Sequence, residues 1–322
     1  LKKIAILDDY QGVALSQGPW RRLESRCEIQ VFREHMDSED ELVATLAEFD
    51  IVVANRERTP FPRTLLQRLP RLRLIATSGK RNASIDVTAA QELGILVCGT
   101  ETLSYPTVEL TWALILALSR DLVAEVNSVR RGGWQHTLGT GLHGKVLGVI
   151  GLGRLGNAVA KIGLAFGMEV LACSRSLTDS QAQALGVQAV SLDELLVRSD
   201  VVTLHVPLNK QSVNLMGADQ FKRMKPSAIL VNTARGPVVN EAALIDALKN
   251  QLIRAAALDV YNVEPLPVNH PLRECPNVLL SPHLGYVVQE NYQVVFEQSV
   301  ENITAWLDGC PIRLIEAPAQ SA

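Results

Sequence analysis

The sequence predicts an α/β fold with parallel sheets, divided between two domains. Three observations carry this. Short apolar runs rich in branched residues alternate with helical stretches almost from end to end, as buried parallel strands joined by crossover helices do. The alternation starts afresh at residue 146, after a glycine-rich stretch. The chain's 322 residues also exceed what one ordinary hydrophobic core organises.

The elements follow in order. Residues 1–7 form a first strand that runs at once into Asp8 and Asp9, which sets it apart from a secretory signal peptide. Residues 51–54, 74–77 and 96–98 are short, branched and apolar, as suits strands buried on both faces. Helices fit 39–49, 62–69 and 87–93, the last stopped by Gly94 as a C′ glycine. Residues 107–118 are apolar around most of a helix circumference, as expected of a helix buried between two domains. The glycine-rich stretch 130–144 reads as a loop.

The second series has strands at 146–150, 169–172, 187–190, 201–205, 228–232, 255–258 and 278–281, with helices at 156–166, 179–185, 192–198 and 241–250. A long helix over 287–307 closes the chain and returns to the first domain. That domain is then discontinuous, 1–101 with 286–322, around a second domain at 102–285. Residues 317–322 form a short low-complexity tail.

Composition narrows the function. A net charge of −3 and the lack of any Lys/Arg-rich run argue against a nucleic-acid partner. The longest apolar stretches, such as 110–118, are too short to span a bilayer. Cys27, Cys98, Cys173, Cys275 and Cys310 are odd in number and scattered, with no CxxC spacing. They read as reduced thiols of a cytoplasmic protein, with no metal site.

One motif points to a dinucleotide. Gly151-Leu152-Gly153-Arg154-Leu155-Gly156 lies between a strand and a helix, the context its chemistry needs. The first glycine allows the tight turn, the second lets backbone approach the pyrophosphate, and the third lets helix and strand pack closely. The helix N-terminus then faces the phosphates, with Arg154 and Leu155 in its first turn. The motif predicts an acid about twenty residues on, at the end of the second strand, to bind the ribose 2′-hydroxyl. This chain has Cys173-Ser174-Arg175 there, while Glu169 lies too early and Asp179 too late. Without the acid a 2′-phosphate is not repelled, and Ser174 with Arg175 can bind it. The expected cofactor is NADP or NAD, with NADP favoured.

Three polar groups follow strands of the same series. Arg235 comes after 228–232 and before Gly236-Pro237, where a guanidinium can grip a carboxylate bidentately and polarise a neighbouring carbonyl. Glu264 follows 255–258, in Asp259-Val260-Tyr261-Asn262-Val263-Glu264-Pro265. His283 follows 278–281, in Ser281-Pro282-His283-Leu284-Gly285; imidazole suits a proton transfer near neutral pH. A carboxylate bonded to its other ring nitrogen would fix the tautomer. Taken singly, each is as readily a surface or loop residue. Together they read as an acid–base dyad with an arginine clamp.

These motifs, together with Ser199-Asp200 through His205-Val206-Pro207-Leu208 and Met224-Lys225-Pro226, resemble the D-isomer-specific 2-hydroxyacid dehydrogenases over nearly the whole chain. The resemblance implies a Rossmann domain inserted into a flavodoxin-like substrate domain, with the active site in the interdomain cleft. It implies that Arg235 binds the substrate carboxylate and that Glu264 supports His283 as acid/base. It places Asp259 near the nicotinamide carboxamide, and His205, Pro207, Thr233, Thr111 and Gly285 along the cofactor. It also implies a homodimer formed through the nucleotide domain, and transfer of a hydride between NAD(P) and a small 2-keto or 2-hydroxy acid. The same scaffold also hosts dehydrogenases of other small anions, such as formate or phosphite, and dinucleotide-sensing corepressors.

The chain departs from the family pattern in the missing acid and in a substrate-domain loop. Leu74 to Asp86 resembles the loop whose amides hold the carboxylate, with Arg81 where the family often has a second glycine. Gly79, Lys80 and Arg81 are expected to bind the anion, with Arg56 adding charge, so that the substrate would be compact and strongly anionic. The competing expectation has these cations facing solvent or pairing with Glu57 and Asp86.

Overall fold

Every strand in the computed structural model pairs in parallel with its neighbours in one of two sheets. The structure describes residues 1–175 and 177–317. The tail is therefore described only at Ala317; residues 318–322 lie outside the described residues. The chain divides into two compact units, Leu1–Leu103 with Val287–Ala322, and Ser104–Tyr286. The sequence-based boundaries, 101/102 and 285/286, stand next to these. Ser104 belongs with the second unit because it directly precedes a helix of that unit.

The first unit runs β1 (Lys2–Ile6), α1 (Ala14–Gln17), β2 (Cys27–Val31), α2 (Glu39–Leu46), β3 (Ile51–Ala54), α3 (Arg63–Gln67), β4 (Leu74–Thr77), α4 (Val87–Glu92) and β5 (Leu96–Cys98). Its sheet order is β2-β1-β3-β4-β5. β3 and β4 are buried at every position, which is why they read as continuous apolar runs. β2 does not: Glu28 and Gln30 alternate with less exposed neighbours on an edge strand, and the apolar-run pattern passed over it. Ser38 and Asp86 cap α2 and α4 by accepting from the amides of Glu41 and Ala89.

The second unit runs α5 (Tyr105–Ser119), α6 (Leu122–Arg130), β6 (Val146–Ile150), α7 (Arg154–Ala165), β7 (Glu169–Cys173), α8 (Asp179–Ala184), β8 (Gln188–Ala189), α9 (Leu192–Arg198), β9 (Val201–Leu204), α10 (Ala218–Arg223), β10 (Ile229–Asn232), α11 (Glu241–Lys249), β11 (Ala255–Leu258) and β12 (Val278–Leu280). α12 (Gln289–Leu307) then belongs to the first unit, where Phe296 packs on Trp20 with ring centroids 6.1 Å apart. α6 and α10 lie in stretches that the strand and helix patterns left unassigned. α6 has no buried residue, so it lacks the one-sided burial that marks a helix in sequence.

The seven-stranded order is β12-β11-β10-β9-β6-β7-β8. The chain leaves β6 in one direction for β7 and β8 and returns on its other side with β9. A crevice therefore opens beyond the carboxyl ends of β6 and β9, where open α/β sheets bind ligands. Two apolar layers flank the sheet, one around Phe221, Leu244 and Leu248, the other around Trp112, Val159 and Val170. No helix among the described residues is long and apolar enough to cross a membrane.

Candidate active site

The glycine loop sits at the β6–β9 crevice. Gly151 has φ of +93°, and a Cβ there would stand 2.7 Å from the His205 carbonyl oxygen. A Cβ on Gly156 would collide with the Gly151 carbonyl, so the third glycine is required for α7 to pack against the turn. A Cβ on Gly153 would meet nothing within 4 Å. That open space lies at the start of α7, which has no side-chain cap. A helix N-terminus without a side-chain cap, reached past a glycine with room beside it, fits a pyrophosphate.

At the end of β7, Ser174 is partly exposed and Arg175 exposed. Glu169 lies at the opposite end of that strand and is paired with Arg198. Among the described residues at the carboxyl end of β7, Cys173, Ser174 and Arg175, none is a carboxylate. At the end of β9, Thr203 Oγ1 lies 2.9 Å from His205 Nε2. Burial pushes the His205 imidazole down to about 4, so the ring is neutral at physiological pH. Pro207 is exposed, and its carbonyl accepts from the Ser212 hydroxyl at 2.7 Å. Thr111 on α5 is fully buried and 2.8 Å from Thr233 Oγ1, just beyond β10. One turn earlier, Thr107 donates to the Gly285 carbonyl at 2.7 Å.

The arginine, glutamate and histidine follow three consecutive strands, β10, β11 and β12. His283 Nδ1 and Glu264 Oε2 are 2.6 Å apart, with side chains 16% and 26% exposed. Glu264 Oε1 accepts from the Tyr261 amide at 2.9 Å, so both carboxylate oxygens are engaged. The ring's other nitrogen, Nε2, is the one not spent on Glu264. Arg235 ends the turn after β10, where Asn232 Nδ2 donates to its carbonyl at 3.0 Å. Gly236 follows and lies against the Tyr261–Asn262 peptide so closely that a Cβ would overlap it.

Asp259 is buried at the end of β11. Its carboxylate accepts from the Ser281 hydroxyl at 2.6 Å, the Leu284 amide at 2.7 Å and the Gly285 amide at 2.9 Å. Burial pushes its pKa up, and these hydrogen bonds work against that rise. The resemblance implies a cofactor contact for Asp259; in the structure its carboxylate also holds the His283 loop. Tyr261, Ser281 and Thr107 were not singled out in the sequence, because their partners lie on other strands or far along the chain.

In the first unit, Gly79 follows β4 with φ of +96°. Its amide donates to Thr100 Oγ1 at 3.1 Å, so that donor is spent inside the unit. Lys80 Nζ pairs with Glu101 at 2.7 Å, Arg56 Nε lies 3.6 Å from Glu57, and Arg81 is exposed. Asp86 is spent as the α4 cap.

Comparison with known proteins agrees with this architecture. The family model described as D-isomer specific 2-hydroxyacid dehydrogenase, NAD binding domain, matches residues 112–285. Glyoxylate reductase of Aeropyrum pernix is 42% identical over 255 residues, 76% of this chain and 76% of that protein. Glycerate dehydrogenase of Methylorubrum extorquens is 37% identical over 289 residues, 86% of this chain and 89% of that protein. The crystal structure of phosphoglycerate oxidoreductase from Vibrio cholerae O395 matches with a TM-score of 0.91 at 36% identity, over 96% of this chain and 100% of that one. With its parallel-sheet units, its glycine loop and these relatives, the chain belongs to the D-isomer-specific 2-hydroxyacid dehydrogenases, oxidoreductases with a nicotinamide-cofactor domain.

Proposed function

We propose that this enzyme reduces a small 2-keto acid to the D-2-hydroxy acid, with Arg235, Glu264 and His283 as its catalytic residues. The observation that carries the reading is the 2.6 Å contact between His283 Nδ1 and Glu264 Oε2. It fixes the ring so that Nε2 is the proton-transferring atom. When bound, the nicotinamide supplies the hydride that adds to the carbonyl carbon. Arg235 binds the substrate carboxylate and draws charge from the carbonyl oxygen. Protonated His283 gives its Nε2 proton to the forming alkoxide, and Glu264 stabilises the ring's charge. In the oxidative direction neutral His283 takes the hydroxyl proton instead.

The cofactor lies along Gly151, Gly153, Arg154, Leu155 and Gly156, and along His205, Pro207, Thr233, Thr111, Asp259 and Gly285. NADP is the preferred form, because Ser174 and Arg175 stand where an acid would repel the 2′-phosphate. In the Gly79–Arg81 loop, the amides of Lys80 and Arg81 are the anion donors, since Thr100 takes that of Gly79. Relatives acting on glyoxylate and glycerate support a short substrate chain. The enzyme works as a homodimer in the cytoplasm. The exposed apolar residues of α6, with Trp134 and Leu138 at 76% and 95% exposure, support the first; five free cysteines support the second.

The test is a kinetic matrix of NADH and NADPH against glyoxylate, hydroxypyruvate and bulkier 2-keto acids. Turnover with kcat/KM higher for NADPH is expected. No turnover with tight cofactor binding would replace the enzyme by a dinucleotide sensor. Full reductase activity in His283→Ala would remove the mechanism.

A further inference from the structure

We infer that the Tyr261 hydroxyl is a positioning group for His283, acting through the Ser281 carbonyl. This rests on the assignment of His283 as the acid/base. Tyr261 lies three residues past β11, with its ring in the apolar core of the second unit. Its hydroxyl donates toward two carbonyls, Ser281 at 2.9 Å and Leu258 at 3.1 Å, one beyond each of two adjacent strands or at its end. The Ser281 carbonyl also accepts the amide of His283 at 3.1 Å. That bond closes a tight turn over Pro282, and the turn delivers His283 with φ of +54°. A residue with a Cβ keeps such a conformation only when its surroundings hold it there.

The surroundings are two-sided. Asp259 grips Ser281, Leu284 and Gly285 around the histidine, while Tyr261 grips the carbonyl on which the turn closes. The backbone of Tyr261 serves the other two groups of the triad. Its amide orients Glu264, and its carbonyl is the surface on which Gly236, next to Arg235, packs. Burial keeps the phenol well above its ordinary pKa, so the hydroxyl remains a donor throughout the working pH range.

Phenylalanine would keep the ring, the core packing and both backbone contacts, and remove only the hydroxyl. Each carbonyl retains an amide donor, Ser281 from His283 and Leu258 from Ser281, so Tyr261→Phe leaves neither orphaned.

The experiment compares wild type, Tyr261→Phe, Tyr261→Leu and His283→Ala in the full chain, using the best cofactor and 2-keto acid from the matrix. In Tyr261→Phe, kcat is expected to fall about tenfold, the scale of one lost neutral hydrogen bond, with KM for cofactor and keto acid within about twofold. The downfield NMR signal of the His283 Nδ1 proton, in its bond to Glu264, broadens in the same variant. An unchanged kcat, with or without damage in Tyr261→Leu, assigns Tyr261 to packing and overturns the inference. So does a fall in kcat with the signal intact. If His283→Ala is as active as wild type, or if wild type turns over no keto acid, the reading of His283 fails first and the inference falls with it.

Discussion

Replacing Glu264 by glutamine tests the dyad at its narrowest point. In the native site one carboxylate oxygen faces His283 Nδ1 at 2.6 Å and the other accepts the Tyr261 amide at 2.9 Å. An amide side chain has one acceptor and one donor end, so it cannot serve both positions. If the oxygen faces the histidine, the NH2 group meets the Tyr261 N–H. If the oxygen stays on Tyr261, the NH2 group meets Nδ1–H of the protonated ring that reduction requires. Either choice sets donor against donor, and the second also reverses the favoured tautomer. A hydrogen bond to a charged partner contributes about 1.5–3 kcal/mol, and both side chains are largely buried, so little of this is screened. The loss corresponds to about 10- to 150-fold in rate. Steady-state reduction of glyoxylate and hydroxypyruvate by Glu264→Gln measures it, with fluorescence titration of the dinucleotide as a check that cofactor binding survives. A variant within about threefold of wild-type kcat/KM would refute the reasoning, because a donor–donor clash at this pair cannot be that mild.

Three further outcomes are expected. Arg175→Asp places a carboxylate where the 2′-phosphate is proposed to sit, and should lower kcat/KM for NADPH at least about tenfold against NADH; an unchanged ratio in the two-cofactor assay removes the NADP preference. Val126→Asp puts charge into the exposed apolar face of α6 and should convert a dimer to a monomer in sedimentation velocity; a monomeric wild type ends that part of the proposal. The third concerns pH. The hydrogen bond to buried Asp8, opposed by burial and aided by Asp8, Asp37 and Glu41 charge, raises the His35 pKa in the folded chain. Its stabilisation is then complete below the unfolded value of about 6.5 and lost as pH rises through the higher folded value. Urea unfolding of wild type and His35→Gln should differ most at acidic pH and converge at alkaline pH; a gap that widens with pH contradicts the pairing.

Much of the fold and of the candidate site is legible in the sequence. The parallel strands announced themselves because strands buried on both faces, such as β3 and β4, must be apolar at every position. β2 escaped because an edge strand carries Glu28 and Gln30, and α6 escaped because nothing on it is buried. Arg235, Glu264 and His283 stood out because each follows a strand, and the sheet order makes those three strands neighbours. The family resemblance implies that the amides of the Gly79 loop bind the substrate anion. The Thr100 hydroxyl, 21 residues away in sequence, takes the first of them.

By itself the sequence determined what depends on local pattern: the strand–helix rhythm, the strand–glycine–helix unit and its missing acid, and which polar residues stand at sheet edges. Only the tertiary structure decided which of those residues meet. Glu264 reaches His283, Asp259 turns to the loop at 281–285 and Tyr261 bridges the carbonyls of Leu258 and Ser281, across 19 to 26 residues of chain at their longest reach. Such pairings are set by strand order and register, which side-chain spacing along a chain does not encode. They are held because buried polar groups must find partners wherever the fold brings one within reach.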